Sequence, residues 1–61
     1  MRVVINVPQR RVVIHWPNQE PTAHYLTKAG CNRLFLWLMD NGTLLWGWDS
    51  GEYVFRVEVQ S

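Results

Sequence analysis

The chain opens with two β-branched runs, "RVVINV" at residues 2–7 and "RVVIHW" at residues 11–16, separated by a short stretch around Pro8-Gln9. Runs of this kind suit a pleated, half-buried strand. A turn at Pro8-Gln9 pairs Val7 with Arg10, Ile5 with Val12 and Val3 with Ile14. Because side chains alternate along a strand, Val3, Ile5, Val12 and Ile14 then share one face. Arg2, Asn6, Arg11 and His15 share the other with Val4 and Val13. The first face is expected to be core, the second polar and somewhat basic.

Residues 17–21, "PNQEP", hold two prolines and end the second strand, since proline cannot donate to a central ladder. The next segment, "TAHYLTKAG" at residues 22–30, reads as a two-turn helix: Thr22 can cap its first amides, Lys28 suits its negative end and Gly30 its closing position. The stretch "RLFLWLMDNGTLLWGWD", residues 33–49, is apolar at almost every position and is interrupted by Asp40-Asn41-Gly42. Asn-Gly is the strongest two-residue hairpin signal, and a turn there pairs Met39 with Leu44, Trp37 with Trp46 and Phe35 with Trp48. The aromatics fall on one face, and Leu34, Leu36, Leu38 and Leu45 on the other. A second turn at Ser50-Gly51 adds Tyr53, Phe55 and Val57 to the aromatic face, and Val54, Arg56 and Glu58 to the aliphatic one.

The fold expected from this pattern is a single α+β domain spanning residues 1–61: β-hairpin, short helix, three-stranded antiparallel meander. The alternative is a winged helix, in which Asn32 caps a helix from Arg33 to Asn41 and Gly42 closes it. A recognition helix in a DNA groove needs polar outward side chains, and "RLFLWLMD" is apolar all round, so the hairpin is preferred.

One short helix cannot cover both faces of such a sheet. The aromatic face is expected to be core, and the aliphatic face, Leu34, Leu36, Leu38, Leu45 and Val54, to meet a partner. Size points the same way: a 61-residue chain buries only about 60% of its unfolded surface, and small domains often gain stability by association. The expected partner is a second copy of the chain, with a protein target as a further possibility.

Composition narrows the rest. A net charge of +1 and a charged fraction of 18% select no class of partner. Cys31 is the only cysteine, so no intrachain disulfide can form and a reducing, cytoplasmic setting is the simplest expectation. Asn6 and Pro8 come too early for a signal peptide, and no run approaches the roughly 20 apolar residues of a membrane span. Cys31, His15 and His24 lack the spacing of a structural zinc site, so no metal is expected. Cys31 and His24 form no recognisable triad, Asp40 and Asp49 sit where turns are expected, and no phosphate-cradling glycine loop occurs. No enzyme activity, cofactor or small-molecule substrate is expected.

The favoured function is therefore a small non-catalytic protein-interaction module, homodimeric, of the accessory or inhibitory kind that phages encode. The second is a nucleic-acid-binding domain that uses Arg2, Arg10, Arg11 and Arg33 with exposed tryptophans.

Overall fold

The computed structural model describes residues 1–58. Strands β1 (Arg2–Asn6) and β2 (Arg11–His15) form the expected hairpin, with Val3 opposite Ile14 and Ile5 opposite Val12. The loop between them is closed by Arg10 N–H donating to the Val7 carbonyl (3.2 Å) and by Gln9 N–H donating to Asn6 Oδ1 (3.0 Å). Arg10 itself is left-handed, φ 55°.

Residues 22–27 are not helical, and Lys28 and Gly30, expected at the end of a helix, lie in the first turn of one. Thr22–Tyr25 is strand β3, which pairs antiparallel with β2 at the sheet edge, with all four side chains exposed. The ladder with β2 satisfies backbone groups that so short a helix would leave open. The loss of this helix also removes the helix-turn-helix on which the winged-helix alternative depended.

The one helix among the described residues, α1 (Lys28–Asn41), lies where the pattern favours a strand and a turn. Thr27 caps it, its side chain accepting from Gly30 N–H at 3.1 Å, and Gly42 ends it by donating to the Leu38 carbonyl at 2.8 Å. Asn41-Gly42 is thus a helix end. Cys31, Leu34, Phe35 and Leu38 recur at the i, i+3, i+4, i+7 spacing of one helix face, and this stripe packs on the sheet. Burying it outweighs the local turn preference.

After Gly42 the chain runs directly into β4 (Thr43–Gly47) and then β5 (Glu52–Arg56). The sheet is five-stranded and wholly antiparallel, in the order β3-β2-β1-β5-β4. The class is α+β. The β4–β5 loop needs Gly51, whose φ is +91°; a Cβ there would also lie 2.5 Å from Pro8 Cδ.

The core is one layer thick, between α1 and one face of the sheet. Val3, Ile5, Val12, Cys31, Leu38, Phe55 and Val57 are buried in it. Phe35 meets Tyr53 and Phe55 edge-on, with ring centroids 4.9 and 5.8 Å away. Among the described residues no helix or second sheet lies over the opposite face of the sheet.

Candidate functional site

The composition of the open face follows from register. Across the sheet one row is His15, Arg2, Arg56 and Thr43; the next is Ala23, Val13, Val4, Val54 and Trp46. A third row runs Tyr25, Arg11, Asn6 and Glu52, and Trp48 joins it by donating its N–H to the Glu52 carbonyl at 2.9 Å. A central strip of valines is bordered by aromatic and basic side chains.

A β-bulge decides where the tryptophans go. Leu44 pairs with Phe55 and Trp46 with Val54, so Leu45 is the extra residue in β4. Without it, Trp46 would point toward the helix. With it, Trp46 and Trp48 stand on the open face, 45% and 50% exposed, their rings edge to face at 6.0 Å. Gly47 takes the alternate position on the helix side beneath the Tyr53 ring, where a Cβ would come within 2.6 Å of Cδ1.

A groove of about 490 Å³ crosses the first rows of this face, lined by Met1, Arg2, Val4, His15, Trp16, Pro17, Trp46 and Arg56. Trp16 lines one end of it at the sheet edge; its indole N–H donates to Thr22 Oγ1 at 2.8 Å, and Thr22, opposite Ile14 on the helix side, also meets His24 Nε2 at 3.0 Å. Trp46 lines it too, with the Arg2 guanidinium 5.8 Å from its ring centroid. Arg56 is paired with Glu58 at 2.8 Å, both side chains being largely exposed. The face therefore holds Arg2, Arg11, Arg56 and His15 against one other acid, Glu52.

The expected partner patch is not assembled. Leu38 and Val54 are buried on different sides of the sheet, Leu34 packs at the core margin, and Leu45 is the bulge residue of β4. Leu36 alone of the helical leucines stands out, 68% exposed. These residues were grouped by the alternation of a strand, whereas a helix scatters positions 34, 36 and 38 around its circumference. Of the four candidate arginines, Arg2 and Arg11 share the open face, Arg10 lies in the β1–β2 loop and Arg33 is on the exposed side of α1.

The strand pattern places Trp46 and Trp48 on the aromatic core face, exposed only in the nucleic-acid alternative, puts Arg56 on the aliphatic partner face, and gives Trp16 no binding role. A one-residue bulge leaves no signature in the alternation of apolar residues, so the position of Trp46 could not be read from it. Arg56 does share a face with Val54, as expected from the alternation of β5, but its neighbours there are Arg2 and Thr43 and not the leucines.

Cys31 is buried in the core and His24 is exposed on β3, and among the described residues no three His, Cys, Asp or Glu side chains gather as a metal site would require. Asp40 lies in α1 and Asp49 in the β4–β5 connection. Among the described residues no helix is long and apolar enough to cross a membrane. Comparison with protein-family models, with curated proteins and with solved structures finds no match to the chain.

Proposed function

We propose that the protein is a non-catalytic binding module that takes single-stranded nucleic acid on the open face of its sheet. The observation that carries this reading is the groove bordered by Trp16 and Trp46 and floored by Arg2, His15 and Arg56. Single-strand binders combine aromatic platforms, on which bases stack, with cationic groups that follow the phosphates. Trp46, Trp48 and Tyr25 supply platforms, and Arg2 and Arg11 supply cations with no intrachain ion pair among the described residues.

A second copy packed on this same face would bring two sets of Arg2, Arg11 and Arg56 into one interface with only Glu52 and Glu58 of each copy to offset them, and an excess of like charge in an interface opposes association. A polyanion removes that conflict. The nucleic-acid reading thereby moves ahead of the protein-interaction reading favoured by sequence. The cytoplasmic setting inferred from the single cysteine accords with it.

The test is a fluorescence titration of the intrinsic tryptophans with a single-stranded oligonucleotide of about 12 nucleotides, within the usual range of site sizes. Quenching that saturates, and that weakens when Arg2→Glu and Arg11→Glu are combined, supports the reading. An unchanged spectrum at low salt refutes it.

A further inference from the structure

The outward side of α1 is a second surface with its own logic. At about 100° per residue, Arg33, Leu36, Trp37 and Asp40 form one stripe at i, i+3, i+4 and i+7, diametrically away from the buried stripe of Cys31, Leu34, Phe35 and Leu38. All four are exposed, with Leu36 at 68% and Trp37 at 48%. Leu36 and Trp37 form an apolar centre with a cation one turn before it and an anion one turn after. Among the described residues neither Arg33 nor Asp40 has an intrachain ion-pair partner.

This stripe is complementary to itself. When two copies of α1 meet antiparallel about a two-fold axis midway between Leu36 and Trp37, each position faces the one whose number brings the pair to the same sum. Leu36 then faces Trp37 of the other copy, and Arg33 faces its Asp40. The axis generates each contact twice, giving a buried apolar centre closed at both ends by opposite charges. A parallel pairing would set Arg33 against Arg33 and Asp40 against Asp40.

We infer that the helix face of Arg33, Leu36, Trp37 and Asp40 is a homodimer interface, formed antiparallel with a second copy of this chain. The inference is independent of the nucleic-acid reading, because it uses the side of the molecule opposite the open sheet. In such a dimer the two open faces point outward and both remain available.

Sedimentation equilibrium across a micromolar concentration series tests it, with circular dichroism to confirm that each variant is folded. The wild-type chain is expected to dimerise. Arg33→Asp and Asp40→Arg, each of which creates two like-charge contacts per dimer, are each expected to raise the dissociation constant at least about tenfold. An equimolar mixture of these two variants, or the double variant in one chain, restores opposite charges at both ends and should recover wild-type association. Leu36→Asp should leave a folded monomer. A wild-type chain that stays monomeric overturns the inference, as do charge variants without effect; single variants that weaken the dimer without rescue on mixing overturn the antiparallel register.

Discussion

Leu36 and Leu38 are two positions apart, and in a strand they would share an environment; in α1 they do not. Leu38 is fully buried against the sheet, while Leu36 is 68% exposed. Leu38→Ala removes side-chain atoms from a close-packed site and should cost about 2.7–5 kcal/mol, the range for buried Leu→Ala changes. A chain of this length has about 3–9 kcal/mol in total, at about 0.05–0.15 kcal/mol per residue, so this one change removes a large part of its stability. Leu36→Ala exchanges one good helix former for another at the surface and should change stability by no more than about 0.5 kcal/mol. The assay is urea denaturation followed by tryptophan fluorescence, at a protein concentration low enough that association does not contribute. With a slope of about 1 kcal/mol per molar urea, the midpoint falls by about 3 M or more for Leu38→Ala and by less than about 0.5 M for Leu36→Ala. Leu38→Met, which conserves volume, keeps the site measurable should the alanine variant be unfolded in water, and should cost less than about 1.5 kcal/mol. Equal midpoint shifts for Leu36→Ala and Leu38→Ala would refute the helix.

Other perturbations probe the turn, the bulge, the cap and the site. Gly51→Ala should destabilise by more than about 1 kcal/mol in the same urea assay, because the new Cβ meets both a left-handed backbone and the Pro8 ring. Gly47→Ala should cost about 1–3 kcal/mol, since its Cβ displaces a Tyr53 ring already in contact with Phe35. Thr27→Ala removes the hydroxyl that accepts from Gly30 N–H and should lower stability by about 0.5–2 kcal/mol. Trp46→Ala should leave the far-ultraviolet circular dichroism unchanged and weaken oligonucleotide binding by about 5- to 150-fold, the equivalent of about 1–3 kcal/mol for one stacked base.

How far the sequence could be read depended on whether local and tertiary preferences agreed. In the first hairpin they did: Val3, Ile5, Val12 and Ile14 share one face, the polar residues Arg2, Asn6, Arg11 and His15 share the other with Val4 and Val13, the loop needs a turn near Pro8, and the observed register is the expected one. At Asn41-Gly42 they conflicted. The dipeptide signals a hairpin locally, yet the stripe of Cys31, Leu34, Phe35 and Leu38 is buried only if the chain is helical. That stripe was present in the sequence, but the exposed Leu36, Trp37 and Met39 filled the gaps between its members and hid the period. Thr22–Tyr25 carried no burial pattern to read, since all four of its side chains are exposed. For the site, Arg2, Arg11 and His15 were correctly grouped on one face of the hairpin. Their aromatic neighbours were not, because Trp46 owes its position to the Leu45 bulge.

The claim that the open sheet face binds single-stranded nucleic acid is tested most directly by the salt dependence of oligonucleotide affinity. Arg2, Arg11 and Arg56 lie on that face, so at most three phosphates are neutralised, Arg56 contributing when it exchanges Glu58 for a phosphate. For a single strand this predicts a slope of log K against log salt of about −2, or about a 20-fold loss of affinity between about 50 and 200 mM salt. Arg2→Gln should bring the slope closer to zero by about 0.7. Saturable binding with that slope supports the account; no binding at low salt, or binding indifferent both to salt and to Arg2→Gln, contradicts it.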